Sequence, residues 1–241
     1  GKLNADGRVY VFNKNGVIFG ANSVVDVGGI VASTGSLTDD DIALDDGKFQ
    51  FNDVDTGGKI VLDGSISVAD GGLAAFVAPQ VVNNGLIVAN KGTVALASGK
   101  KVTLDLYGDN LIEIAVNDKS TDGKIDNSGI INAGGGKVAM SVQTAKDAVD
   151  NVINTSGIVD VTSVEVKGGK IILSGGNSGK VKVKGQLKAN GKTGGGEIKV
   201  KGKNIDVDQE TVIQASATDK GHGGKIEVFA DDKTVFRGNA F

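Results

Sequence analysis

The chain has 241 residues, 38 of them glycine, with one proline, one histidine and no cysteine or tryptophan. Its 26 basic and 29 acidic side chains leave a net charge of −3, and only Arg8 and Arg237 carry the guanidinium fork that reads phosphates and guanines, which argues against a nucleic-acid binder. Without cysteine there is no disulfide framework, thiol nucleophile or thiolate metal site, and no apolar run reaches the 18 residues of a membrane-spanning helix.

The chain starts Gly-Lys-Leu-Asn, without Met and without an apolar leader core, so an export signal is expected to have been removed or to lie outside this sequence. Hydrophobic residues make up 39% and aromatic ones 4%, so the core must be built from Val, Ile, Leu and Ala. Residues 37–56 are acidic and off-pattern; they read as an excursion from the main body, with Phe49 and Phe51 pinning it back on one face.

From residue 58 onward two short units alternate. One follows Gly-Gly, as in Lys59-Ile60-Val61-Leu62, Lys137-Val138-Ala139-Met140, Lys170-Ile171-Ile172-Leu173, Glu197-Ile198-Lys199-Val200 and Lys225-Ile226-Glu227-Val228. The other follows a single turn residue, as in Ile66-Ser67-Val68, Ile87-Val88-Ala89, Ile131-Asn132-Ala133, Val159-Asp160-Val161 and Leu187-Lys188-Ala189. Both are rich in β-branched residues, alternate in and out, and end in Gly, Asn or Asp, which are strand signals. Two strand types recurring every ~20–30 residues predict a solenoid in which each coil covers the inner face of the next. Tight corners need Gly, or Asn in the left-handed region, and large aromatics are expected to be excluded from the narrow interior. The predicted fold is therefore all-β: one continuous parallel β-helix over 1–241, right-handed by the chirality of parallel crossovers. A β-sandwich competes; Asn84-Gly85 and Asn190-Gly191 share one phase of the repeat, which favours solenoid corners over hairpins. Residues 143–152 hold the one stretch with helical character. The inward residues are expected to be Ile60, Leu62, Ile66, Val68, Ile87, Val94, Leu96, Ile131, Val138, Met140, Ile171, Leu173, Val181, Val183, Ile198, Val200, Ile213, Ile226 and Val228.

The run Gly7-Arg8-Val9-Tyr10-Val11-Phe12-Asn13-Lys14-Asn15-Gly16, followed by Val27-Gly28-Gly29-Ile30-Val31-Ala32-Ser33, resembles the haemagglutinin-activity stretch of the filamentous haemagglutinin family, exoproteins of two-partner secretion. Phe76-Val77-Ala78-Pro79-Gln80, Gly92-Thr93-Val94-Ala95-Leu96-Ala97-Ser98-Gly99 and Asn154-Thr155-Ser156-Gly157 are similar to further family repeats. The family's Asn-Pro-Asn-Gly turn stands here as Asn13-Lys14-Asn15-Gly16, without the proline. The resemblance implies a right-handed β-helix, export through an outer-membrane β-barrel transporter, a secreted or surface location and an adhesive purpose. It implies that 1–98 is a truncated remainder of the secretion domain and 99–241 the β-helix repeats of a longer protein, here a monomeric fragment. It places Asn13, Asn15 and Gly16 at a secretion-motif corner, where side-chain amides bond to turn backbone and Gly16 takes a positive φ.

Catalytic chemistry finds little support. The acidic run Asp39-Asp40-Asp41 with Asp45-Asp46 lacks the spacing of a calcium loop, and His222 has no second histidine to form a metal pair or relay. Ser98, Ser156 and Ser174 lack a nucleophile elbow, and Gly134-Gly135-Gly136-Lys137 does not complete a phosphate loop. No enzyme activity and no cofactor are expected. Alternatives are a carbohydrate-active β-helix enzyme or glycan-binding module, and a structural fibre or surface-layer repeat. Lysines concentrate between Glu165 and Lys203, where Lys180, Lys182, Lys184, Lys199 and Lys201 alternate with inward aliphatics. Stacked into one ladder they would be a candidate site for sulfated glycans of a host cell or for other polyanions. The plainer reading is a solubilising face that blunts edge pairing.

Overall fold

The structure, a computed structural model, describes residues 1–37, 48–105, 112–114, 122–144 and 152–241, with the backbone alone at 112–114. The chain winds into a right-handed parallel β-helix whose strands join one 21-stranded sheet, all of its pairings parallel. Each coil contributes three faces. Strands Val17–Phe19, Ile60–Leu62, Gln80–Asn83, Lys124–Asn127, Ile153–Thr155 and Lys180–Val183 stack on the first face, ending on the second half of Glu197–Val207. Ser65–Val68, Leu86–Val88, Ile130–Asn132, Ile158–Asp160, Gln186–Lys188 and Val212–Gln214 form the second. Leu73–Val77, Thr93–Ser98, Lys137–Val142, Lys170–Ser174 and the first half of Glu197–Val207 form the third.

Register puts like over like. Ile66, Ile87, Ile131, Val159, Leu187 and Ile213 form one inward column, and all are buried. Every expected inward residue is buried except Ile226 and Val228, which lie partly covered in the strand Lys225–Phe236. The exclusion of aromatics does not hold. Phe19 and Phe76 sit inside the coil, edge to face with ring centroids 6.3 Å apart. Phe76 stacks on Ala32, whose small side chain leaves it room.

Glycine marks two corners for a reason of space. Between faces one and two, a Cβ on Gly85, Gly129, Gly157 or Gly185 would fall on the carbonyl oxygen of Gly64, Gly85, Gly129 or Gly157 respectively. Between faces two and three, Gly72, Gly92, Gly136, Gly169, Gly196 and Gly224 stack in the same way. Asn84-Gly85 belongs to the first column, whereas Asn190-Gly191 lies in a loop at the second corner, so the two do not share a phase.

The third corner releases the excursion. Lys48–Phe51, Val102–Asp105 and Ile112–Ile114 form a separate three-stranded antiparallel sheet. The sequence pattern locates only its first strand, within 37–56. Phe49, Phe51, Val102 and Leu104 pack on the outside of the third face, over Val31, Ala75, Ala95 and Ala139. Tyr10 and Phe12 on the first coil close its edge, with centroids 5.7 Å from Phe49 and 6.1 Å from Phe51 respectively. Where this cover ends, the same outward column turns from Ala139 through Ile172 to Lys199 and Glu227. The acidic residues 39–46 and most of the stretch with helical character, 145–151, lie outside the described residues.

Candidate functional site: the Asn turn and the lysine-rich coils

The turn Asn13-Lys14-Asn15-Gly16 follows the strand Lys2–Phe12 and leads into the first-face strand Val17–Phe19. The Asn13 N–H donates to the Ser33 carbonyl of the neighbouring coil at 3.1 Å, the Asn15 N–H to the Asn13 side-chain oxygen at 3.0 Å, and the Gly16 N–H to the Asn13 carbonyl at 3.0 Å. An Asx turn of this kind lets a side chain stand in for a backbone acceptor. Gly16 has φ 114°, and a Cβ there would meet the Lys59 carbonyl oxygen at 2.8 Å. On the adjoining coil Gly58 donates to the Lys14 carbonyl at 2.7 Å. Asn13 and Asn15 are exposed, so the backbone is fixed while the side chains face solvent.

Two residues on, Ile18 is 71% exposed. It heads an outward column with Val61 and Val82 that becomes Asp126, Asn154, Lys182 and Asp206 on later coils. Around the first glycine corner, Val24, Leu86 and Ile130 are likewise exposed and line an open groove together with Asp63, Asn84 and Ser128. Asn84 donates to Asp63 at 2.8 Å and accepts from the Ser128 hydroxyl at 2.7 Å. Sequence periodicity misses this surface, because an outward aliphatic on a continuous apolar run looks like core.

The five lysines do not form one ladder. Lys180 and Lys182 lie on the first face, Lys199 and Lys201 on the third, and Lys184 at the corner between the first and second. Alternation along each strand does point them outward, but the long strand Glu197–Val207 spans two faces and its lysine half stacks on Lys170–Ser174. Acids answer several of them: Lys182 stacks beside Asp206, Lys184 pairs with Glu210 at 3.5 Å, and Lys199 with Glu227 at 3.6 Å. The hydrogen bond from Lys225 first, then the charges of Lys199, Lys225 and Lys201, hold the Glu227 carboxyl below its ordinary range against the opposing effect of desolvation. Lys170 pairs with Glu197 at 3.0 Å.

The residues weighed for catalysis stay apart. Ser98 is buried and donates to the Pro79 carbonyl at 2.7 Å, while His222 stands on an exposed loop. Among the described residues no three His, Asp or Glu side chains gather as a metal site, and no helix is long and apolar enough to cross a membrane.

The β-helix carries an Asn turn on an early coil and an antiparallel flap on one face, and its sequence profile is that of an exported exoprotein. The profile of the TPS secretion domain matches residues 1–192, and the chain belongs to this two-partner secretion family, of the filamentous haemagglutinin type. That match runs past residue 98, where the sequence reading divides the chain. Two relatives, each named heme/hemopexin-binding protein and both from Haemophilus influenzae, are 30% identical over 184 residues and 29% over 198. The alignments cover 72% and 73% of this chain but 19% and 21% of those proteins, so the chain spans about a fifth of the relatives' length. The crystal structure of the HMW1 secretion domain from Haemophilus influenzae superposes with a TM-score of 0.82 at 24% identity, covering 100% of this chain and 65% of that one. It has the same fold. Proteins of this family are secreted or surface-exposed, and the location of this chain is extracellular.

Proposed function

We propose that the chain is the export-directing part of a non-enzymatic surface adhesin, passed through an outer-membrane β-barrel transporter, and that Asn13, Asn15 and Gly16 belong to the surface the transporter reads. The match of the secretion-domain profile over residues 1–192 carries this reading. It is supported by the exposed aliphatic side chains of Val24, Leu86 and Ile130 along one groove, which a protein facing only water has no need to display together, and by the exposed Ile18 two residues beyond the turn. Progressive export also suits a solenoid, since each coil needs only its neighbour to fold. The relatives' names give haem and hemopexin binding to those proteins.

Secretion into the medium with and without the transporter tests the proposal. Export is expected to require the transporter and to fall in Asn15→Ala and Ile18→Ser, both with unchanged melting temperature. Equal export without the transporter overturns the function; equal export of both variants overturns the role of the turn.

A further inference from the structure

The sequence holds three Asn-Gly pairs, Asn15-Gly16, Asn84-Gly85 and Asn190-Gly191. In such a pair the glycine nitrogen can attack the asparagine side-chain amide, because glycine has no side chain to shield that nitrogen. The attack needs an asparagine side chain free to turn onto its own backbone, a glycine N–H that can be released, and water. The fold shares out these conditions unequally.

Asn84 meets water, but its amide is held at both atoms: Nδ2 donates to Asp63 at 2.8 Å and Oδ1 accepts from the Ser128 hydroxyl at 2.7 Å. The Gly85 N–H donates to the Leu62 carbonyl of the preceding coil at 2.9 Å, so releasing it means parting two coils. Asn190 is buried, and its Oδ1 accepts from the Ser216 N–H at 2.9 Å. The Gly191 N–H donates to the Ser216 carbonyl of the next coil at 3.0 Å. In both pairs the nucleophile and the amide are tied to a neighbouring coil.

Asn15-Gly16 is different. Asn15 is exposed, and its side-chain amide has no hydrogen-bond partner among the described residues. The Gly16 N–H makes its bond to the Asn13 carbonyl at 3.0 Å, closed within the turn itself. Breaking it takes a peptide rotation in an exposed turn and leaves the coils paired, and local openings of that kind cost far less than global ones. The position is also reserved for glycine: its φ is 114°, and a Cβ would meet the Lys59 carbonyl oxygen at 2.8 Å. The corner that requires Gly16 therefore places the least shielded nitrogen beside the one Asn-Gly amide left without a partner.

We propose that Asn15-Gly16 is a spontaneous deamidation site of the folded protein, and that its conversion to isoaspartate disables the turn. The Gly16 nitrogen bonds to Asn15 Cγ as its proton passes to hydroxide; the Cγ–Nδ2 bond breaks, and Nδ2 takes a proton from water and leaves as ammonia. Water then opens the resulting succinimide. Cleavage at Cγ gives aspartate, and cleavage at the main-chain carbonyl gives isoaspartate, whose main chain runs through Cβ and Cγ. Isoaspartate adds a negative charge and lengthens the main chain by one C–C bond, about 1.5 Å. The turn has no room for it: a Cβ on Gly58 would overlap the Asn15 carbonyl, so backbone already lies against backbone there. The modification is independent of what the turn does, whereas its consequence for export rests on the reading of the turn as part of the transporter's surface.

Peptide mapping by mass spectrometry reads each site against its own unfolded rate, with the folded protein and the guanidinium-unfolded chain kept side by side in mildly alkaline buffer. In the folded protein Asn15 is expected to convert within about tenfold of its unfolded rate, and Asn84 and Asn190 at least about a hundredfold more slowly than theirs. Equal protection at all three sites, or equal conversion at all three, overturns the proposal. Anion exchange then separates the aged protein into the unconverted form and the form converted at Asn15, and each is tested for binding to the solubilised transporter. The converted form is expected to bind about tenfold more weakly. Equal binding by the two forms overturns the effect on the turn and leaves the chemical site standing. Binding by neither overturns the transporter reading instead.

Discussion

Asn83 and Asn127, 44 residues apart in sequence, lie on consecutive coils and share a buried hydrogen bond, Nδ2 to Oδ1 at 2.7 Å. Asn127 passes the ladder on to the Thr155 hydroxyl at 3.3 Å. Leu62 precedes them in this inward column and Val183 follows, so the amides interrupt an aliphatic stack. The chain leaves the helix between the two asparagines to build two strands of the antiparallel sheet. Across so long a detour the loop does little to set register, and a one-residue slip would turn the inward face outward. A directional bond between the two coils identifies the correct alignment. Asn127→Ala strands the Asn83 amide and the Thr155 hydroxyl and is expected to cost about 1–3 kcal/mol by urea unfolding. Asn83 Oδ1 already lacks a partner, so the triple replacement Asn83→Val/Asn127→Val/Thr155→Val, which removes every member of the ladder, is expected to be close to neutral. A triple variant as unstable as the single one would mean that the cost lies in packing, not in the bonds.

The glycine columns make a sharper contrast. Gly129→Ala drives its new methyl onto the Gly85 carbonyl oxygen, which is backbone on both sides and has no rotamer to yield. A loss of about 1–3 kcal/mol is expected, as for other overpacked sites. Gly20→Ala meets nothing within 4 Å and should leave the denaturation midpoint within about 0.5 kcal/mol of the parent. Similar losses at both positions would show that chain flexibility, and not coil-to-coil approach, explains the glycine content.

Phe51 is fully buried, yet it touches no inward column; it lies between the antiparallel sheet and the alanine-lined outside of the helix. Phe51→Ala is expected to cost about 3–5 kcal/mol locally. Amide exchange should then speed up at Phe49 and Leu104, while Ile131, Leu187 and Ile213 of the inward column keep the parent's protection. Uniform loss of protection would show that flap and helix unfold as one unit.

Periodicity is enough to find the winding, because the inward columns are written mostly in aliphatic, largely β-branched residues. It cannot assign faces. Lys182 and Lys199 both sit outside on alternating strands, and only the count of residues per coil, altered by each insertion, decides that they look in different directions. The flap is half legible for a similar reason: Phe49 and Phe51 advertise a buried face, but Val102 and Leu104 read like one more solenoid strand. At the candidate site, Asn13 and Gly16 are visible as turn chemistry, whereas Ile18 and Ile130 are hidden inside apolar runs whose alternation is ambiguous.

Lys137 provides a test in pH. Its outward column runs Thr93, Lys137, Lys170, Glu197, and Glu197 is engaged by Lys170. Burial first, and then the Lys170 ammonium, hold the Lys137 pKa below the ordinary lysine value of 10.5. Below the lowered value both folded and unfolded chains carry the proton, and the folded chain bears the full penalty. Between the lowered value and 10.5 the unfolded chain binds more protons, so this residue's contribution to stability rises with pH. Lys137→Met keeps the aliphatic stem and removes the charge. It is expected to raise Tm at pH 7, and the gain over the parent should shrink as pH climbs toward 10.5. Calorimetry of both proteins across that range decides the matter, since a gain independent of pH would trace to packing of the methionine and not to the charge.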